Sequence, residues 1–393
     1  MSLSFTYLED SVIAEGASGN VILRGHLGGR DIAVKRMSVD RVTLAEREIR
    51  LLEVHDAHPN ILRYFGHRRN VLFVYLALEL ATGNLSEYCD SPQYMNVLAP
   101  REVCAQITRG LKHLHDLNIV HRNLKPSNIL FLLIREDEML MKIADYAISK
   151  TLEDRESFTS SCTVGSISWA APEMRGRPDR KTLKTDIYSL GLVFFTVLTF
   201  GRPRDRGAVT RDMILANLSD VLNGAQRLLL REMLDLMPEN RPTCAEILVQ
   251  PAFWPPEKVL SFLQEVFNLA PPDFNFEVYN EQVWQGDWKD LLCPTLVNRM
   301  SSRTPKPYDG CSMRHLLRFV RNLVTHRAGI RDLIPHACSS NERLVQYIDE
   351  NIPNLIYYAW LTAKGTLSLE NLAHFYEYPS TPGPFECPPP RPS

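Results

Sequence analysis

Two stretches of this chain carry residue types at spacings that suit phosphate chemistry. The first is VHRNLKPSNIL at 120–130, followed by IADYAIS at 143–149. Asn128 and Asp145 are oxygen donors of the kind Mg²⁺ takes alongside substrate phosphates. Lys35, in IAVK, offers a cation to the phosphates themselves. Asn123, between His121 and Asn128, carries a neutral amide and not a carboxylate that could take a proton from an attacking hydroxyl. A neutral amide cannot do this, and a positioned base is worth about 10²–10⁴ in rate. The second stretch, YDGCSMRHLLRFVRNLVTH at 308–326, combines Tyr308, Arg318, Arg321, Asn322 and His326. Histidine shuttles protons near pH 7 and tyrosine can assist at the other side of the reacting bond. Arginine and asparagine can hold the phosphate. That set suits metal-free cleavage of RNA: a base for the 2′-hydroxyl, an acid for the leaving 5′-oxygen, and donors around the phosphate.

The elements that must position these residues follow from pattern. Residues 5–80 alternate β-like runs with turn signals (SVIAEG, NVILRG, DIAVKRM, VLFVYLALEL), interrupted by TLAEREIRLLEV, which has helical spacing. From about 84 to 253 most segments read as helix, among them REVCAQITRGLKHLH and TDIYSLGLVFFTVLTF. A small β-rich part followed by a larger helical part predicts two lobes. In 308–326, Asp309-Gly310 marks a turn and Ser312 is a good N-cap. At about 100° per residue, Arg318, Arg321, Asn322 and His326 share an arc of roughly 140°. Met313, Leu316, Leu317, Val320, Leu323 and Val324 fill the rest of the wheel. By spacing alone a solvated polar face is the favoured reading. Tyr308 precedes the helix and can fold back beside it.

The first stretch belongs to an ordered series. AEGASGNV, from Ala14, fits a glycine-rich loop whose first glycine is replaced but which keeps Gly16 and Gly19. IAVK contributes Ala33 and Lys35, and AEREIRLL places Glu48 on the next helical segment. HRNLKPSNIL retains His121, Arg122, Lys125 and Asn128. IADYAIS keeps Asp145 but has Tyr146 and Ala147 where Phe and Gly are usual. Ala171-Pro172-Glu173, Asp186 and Arg241 follow, Arg241 being an expected ion-pair partner for Glu173. In this order the chain resembles the protein-kinase fold. The resemblance implies a nucleotide site built from Gly16, Gly19, Ala33, Lys35, Glu48, Glu79, Lys125, Asn128 and Asp145, with ATP or ADP bound and Mg²⁺ held by Asn128 and Asp145. With Asn123 in the base position, and Ala14 and Ala147 stiffening the loops, the expected domain is a pseudokinase.

A kinase-like domain running through PAFWPPEKVLSFLQEV into YDGCSMRHLLRFVRNLVTH resembles the kinase/endoribonuclease family of the unfolded protein response. That family comprises the cytosolic region of inositol-requiring enzyme one and its relative ribonuclease L. The resemblance implies that Tyr308, Arg321, Asn322 and His326 are the nuclease tetrad, acting on RNA stem-loops with no cofactor required. Leu323 departs from the basic residue usual after that asparagine, which predicts altered RNA binding or sequence preference. It further implies an allosteric nucleotide and a back-to-back homodimer, or a heterodimer with a related kinase-nuclease, with no DNA partner.

The expected fold class is therefore α+β: a bilobal kinase-like domain over 1–253, divided near 82, then an all-α nuclease domain over 254–378 and a disordered proline-rich tail over 379–393. The net charge of -2 gives no global pull toward nucleic acid. The 8 cysteines lack metal-type spacing and read as reduced thiols. LGLVFFTVLTF is shorter than the about 20 residues that span a bilayer, so no membrane segment is expected. The predicted location is cytoplasmic, or the cytosolic face of the endoplasmic reticulum within a longer protein. Two other readings stay open at this level: an active Ser/Thr kinase with the same nuclease domain, and a catalytically silent scaffold.

Overall fold

The computed structural model describes residues 5–15, 20–38, 58–145, 150–151, 168–174, 182–201, 209–271, 286–366 and 369–377. The chain forms two compact units, one from Met1–Ala216 with Glu232–Cys244, the other from Asn217–Arg231 with Ala245–Ser380. Its class is α+β: a sheet-rich small lobe, a helical part, and a further helical region.

The first unit opens with an antiparallel sheet of β1 (Thr6–Glu15), β2 (Val21–Leu27), β3 (Arg30–Ser38), β4 (Tyr64–Arg69) and β5 (Phe73–Glu79), ordered β1-β2-β3-β5-β4. Gly28 and Gly29, at φ 53° and 79°, close the two-residue turn between β2 and β3. Positive φ at both positions is what a twist-matched hairpin needs, and glycine adopts it without strain. Strand side chains alternate faces. Ile32 and Val34 therefore join Phe5, Leu23, Tyr75 and Ala77 in a buried cluster. Ala33 and Lys35 take the opposite face, paired in register with Leu78 and Leu76. Central placement in the sheet buries Lys35 to 6% exposure.

Helix α1 (Pro100–Asp116) buries Val103, Ile107, Leu111 and Leu114. The apolar stretch noted above lies, except for Thr199 and Phe200, in α2 (Leu183–Leu198), which is buried on nearly all sides. A helix apolar all round belongs inside a core, and no helix among the described residues is long and apolar enough to cross a membrane. Within the region read as mostly helical, β6 (Ile129–Arg135) and β7 (Glu138–Ile143) instead form a hairpin.

The second unit is helical. It includes α3 (Pro256–Leu269), α4 (Pro294–Ser301), α5 (Met313–Thr325), α6 (Asn341–Asn351), α7 (Leu355–Thr366) and α8 (Leu369–Tyr376). Helix α5 is strongly two-sided: Met313, Leu316, Leu317, Phe319, Val320 and Leu323 are buried, and α5 packs on α3. Burying a leucine contributes about 1.5–3 kcal/mol, so this face alone fixes the rotation of the helix. Leu323 is 1% exposed. The departure from the usual basic residue thus alters the core side of α5, away from its polar face.

Candidate active sites

In the first unit the β6–β7 hairpin brings the ends of the two site segments together. Ile129 lies opposite Ile143, and the Ala144 N–H donates to the Asn128 carbonyl at 2.9 Å. Asn128 and Asp145 are therefore neighbours through backbone pairing. The loop from 121 to 125 is held from α2: Asp186 Oδ2 accepts the His121 N–H at 2.7 Å and Oδ1 the Arg122 N–H at 2.8 Å. That grip holds Arg122 at φ 69°, in the left-handed region, and Asp145 lies there too at φ 61°. Such conformations cost about 1–3 kcal/mol each and persist where the surroundings over-determine them.

His121 is wholly buried, and burial pushes its pKa below the ordinary histidine value. The neutral ring donates from Nε2 to the Ala144 carbonyl at 3.1 Å and accepts the Asn123 N–H on Nδ1 at 3.2 Å. His115 behaves oppositely. Burial disfavours its charge, but the Cys244 sulfur at 3.5 Å and the Asp186 carboxylate at 3.0 Å raise it to about 10. A raised folded-state pKa adds stability that is complete below the unfolded value of 6.5 and gone once pH passes about 10. Urea denaturation of the wild type should therefore show stability falling between those limits, more steeply than for His115→Gln. Parallel pH profiles for the two proteins would refute the assignment.

At the centre, Lys35 Nζ lies 2.7 Å from Asp145 Oδ1, and this ammonium, above all, holds the Asp145 carboxyl below its usual range. The Asn123 amide Nδ2 donates to Asp145 Oδ2 at 3.3 Å. Asn128 Nδ2 donates to the Asn123 carbonyl at 2.7 Å, turning Asn128 Oδ1 into the atom able to face a cation. Lys125 is near enough that its charge also bears on Asp145. The structure thus joins Lys35, Asn123, Asn128 and Asp145. Ala33 lies on the same sheet face as Lys35, buried at 8% exposure. Glu79 is not bonded to that group; it pairs with Lys142 at 3.0 Å and accepts the Arg63 N–H at 3.2 Å. Gly16, Gly19 and Glu48 lie outside the described residues, as do Tyr146, Ala147 and the proline-rich tail. The expected Glu173–Arg241 pair is present and two-pronged, at 2.6 and 2.9 Å.

The cluster suits nucleotide phosphates, since Lys35 and Lys125 bring cations to it. For Mg²⁺ the same two Asp145 oxygens are contested, since Lys35 and Asn123 each already donate to one of them.

In the second unit, Ser312 caps α5 by accepting the His315 N–H at 3.3 Å. Tyr308 folds back beside α5, as the turn before it allows, and is 5% exposed. Its ring packs edge-on against Phe319 at 5.3 Å and Trp288 at 6.0 Å. Trp288 also donates from Nε1 to the Asp309 carbonyl at 3.1 Å. Arg318 covers the other side of the tyrosine, its guanidinium 4.5 Å from the ring centre. Arg318 also donates to the Lys306 and Pro307 carbonyls at 2.9 and 3.0 Å, so it acts as a strut. His315 accepts the Asp309 N–H on Nδ1 at 2.7 Å; burial, then Arg318, pushes its pKa down and preserves that acceptor.

The polar face is a hydrogen-bonded chain. Asn322 Nδ2 donates to the Tyr308 hydroxyl at 2.8 Å, while Arg321 donates from Nε and Nη2 to Asn322 Oδ1 at 3.2 and 2.8 Å. The Arg321 guanidinium lies 4.8 Å over Phe267 of α3. His326 ends the helix, its N–H donating to the Asn322 carbonyl at 2.8 Å and its side chain exposed. Its ring makes no hydrogen bond to the other three. Tyr308→Phe would keep the aromatic packing but leave the Asn322 amide without its acceptor. We expect a stability loss of about 1 kcal/mol together with slower RNA cleavage, read by thermal melting and a cleavage assay. Unchanged cleavage would detach the hydroxyl from the site.

A kinase-type pocket in one unit and a Tyr-Arg-Asn-His face in the other define a class: a protein-kinase domain joined to a ribonuclease-type domain. Residues 7–253 match the protein kinase domain family, and residues 274–379 match the ribonuclease 2-5A family. The chain is 31% identical to the serine/threonine-protein kinase/endoribonuclease IRE1 of Hypocrea jecorina, over 94% of this chain and 34% of that protein. It is 32% identical to the human serine/threonine-protein kinase/endoribonuclease IRE2, over 96% of this chain and 43% of that protein. It is 29% identical to the sensor for unfolded proteins in the ER, ire1, of Schizosaccharomyces pombe, over 93% of this chain and 39% of that protein. The chain belongs to the IRE1-like kinase/endoribonuclease family. It spans less than half the length of each of these relatives.

Proposed function

We propose that this chain is an endoribonuclease that cuts RNA stem-loops by 2′-hydroxyl attack without a metal, under the control of a nucleotide-binding pseudokinase domain. The observation that carries the reading is the Tyr308–Asn322–Arg321 hydrogen-bonded chain on the helix that ends in His326. In the reaction the 2′-oxygen attacks phosphorus as it loses its proton, and the 5′-oxygen leaves with a proton. The products are a 2′,3′-cyclic phosphate and a free 5′-hydroxyl. His326 moves a proton at one side of the phosphorus and the Tyr308 hydroxyl at the other, while Arg321 and the Asn322 amide hold the charge that develops on the phosphoryl oxygens.

In the kinase-type pocket Asn123 donates to Asp145, the role opposite to that of a base. Phosphate transfer is accordingly lost or very weak, and the pocket serves as a switch. ATP or ADP favours a dimer, with itself or with a related kinase-nuclease, that aligns two nuclease domains on one RNA. Such coupling needs only differential binding to two states. The place of action is cytosolic, with a role in the response to unfolded proteins.

A stem-loop RNA incubated in EDTA with wild type and Asn322→Ala, each free and forced to dimerise, tests this. Cleavage by the wild type that is lost in the variant is expected. A wild type that leaves RNA intact even as a forced dimer would overturn the nuclease reading. Robust incorporation of label from ATP would overturn the pseudokinase reading.

A further inference from the structure

We propose that Asn123 makes this pocket take its nucleotide without Mg²⁺, because its side-chain amide donates to Asp145, the carboxylate of the metal position, and competes there with a cation. This deepens, and rests on, the nucleotide-binding reading above.

Asp145 is the carboxylate of the metal position, and each of its oxygens has a donor: Lys35 Nζ at 2.7 Å on Oδ1 and Asn123 Nδ2 at 3.3 Å on Oδ2. An ionised aspartate at 123 could not make the second bond, since a carboxylate only accepts. Two carboxylates side by side would repel, and a divalent cation between them would relieve that repulsion. With asparagine, amide protons do that task at Oδ2. Mg²⁺ holds its ligands at about 2.0–2.1 Å in near-octahedral geometry and gives up water reluctantly, so it competes badly with a donor already in place. Asn128, its Nδ2 turned to the Asn123 carbonyl at 2.7 Å, offers one neutral oxygen and so does not replace the charge that an aspartate at 123 would bring.

Charge acts in the same direction. The substitution removes one negative charge beside Lys35 and Lys125, both of which act on Asp145. Phosphates arriving without a counter-cation meet less repulsion than they would beside an aspartate at 123. The backbone frame needed for binding does not involve the Asn123 side chain, because its N–H is held by His121 and the loop by Asp186.

The test is calorimetric titration of ADP into the full chain, once in EDTA and once in excess Mg²⁺, for wild type, Asn123→Asp and Asn123→Ala, with melting curves to check folding. For the wild type, Kd in the two conditions should agree within about threefold. For Asn123→Asp, Mg²⁺ should tighten binding by about tenfold or more, corresponding to about 1.4 kcal/mol. Asn123→Ala removes the amide without adding charge and should fall between the two. ADP binding by the wild type only when Mg²⁺ is present would overturn the proposal while leaving the nucleotide reading standing. No binding in either condition would overturn both.

Discussion

Alanine in place of His326 is expected to slow RNA cleavage by about 10²–10⁴-fold, the range that one positioned acid or base supplies. The fold should not notice. His326 is exposed at the end of α5, and the bond that ties it to the helix runs from its backbone N–H to the Asn322 carbonyl, which alanine keeps. Surface changes of this kind shift stability by about 0.5 kcal/mol or less. RNA binding should also survive, because Arg321 and Asn322 stay braced by Phe267 and Tyr308. Cleavage rates on a stem-loop, beside binding of the same RNA carrying 2′-deoxy at the cut site, separate the two effects. A variant that cuts as fast as wild type would remove His326 from the chemistry. One that loses binding and cutting together would make it a contact.

His326 and Tyr308 differ in how far the amino-acid sequence alone reveals their surroundings. The polar arc of α5 was legible because hydrophobic residues at helical spacing dictate which side is buried; Met313, Leu316, Leu317, Val320 and Leu323 are buried as the wheel expects, while Phe319 joins them and Val324 is only half-buried. What the wheel could not show is how each polar group is spent. Arg318 shares the arc with Arg321 yet braces the loop before the helix, because the Lys306 and Pro307 carbonyls lie within its reach. Trp288 and Phe267 hold Tyr308 and Arg321 from segments distant in sequence, and periodicity carries no record of such contacts. In the first unit the Lys35–Asp145 pair joins residues 110 positions apart. Both residues were legible as motif members, whereas their direct pairing, and the Asn123 amide completing it, depends on a hairpin. That hairpin, FLLIREDEMLMKI, was hidden within a region read as helix because short apolar runs fit a buried strand or a buried helix equally well.

Arg241→Ala should destabilise the kinase-type unit by about 3–5 kcal/mol, the cost of breaking a buried ion pair from one side. The Arg241 side chain is 0% exposed and its partner Glu173 12%. Besides the two bonds to Glu173, Arg241 donates from Nε to the Asp235 carbonyl at 2.8 Å and from Nη1 to the Lys184 carbonyl at 2.9 Å. Its guanidinium lies 5.1 Å over the Tyr188 ring. Alanine therefore strips donors from two carbonyls and strands a carboxylate in a place with little water, on top of the volume lost. Lysine should rescue little, since one ammonium cannot reproduce a planar fork that serves several acceptors at once. Glu173→Gln should cost less than Arg241→Ala, because the amide oxygen still accepts from the guanidinium and the Asp235 and Lys184 carbonyls keep their donors, so that only the counter-charge is lost. The double change Arg241→Ala with Glu173→Ala should fall short of the sum of the single alanine changes, which is the signature of direct coupling. Urea denaturation of the five variants, Glu173→Ala included, supplies these values. Additive losses, or a loss for Arg241→Ala under about 1 kcal/mol, would mean that the pair contributes no more than an exposed salt bridge does.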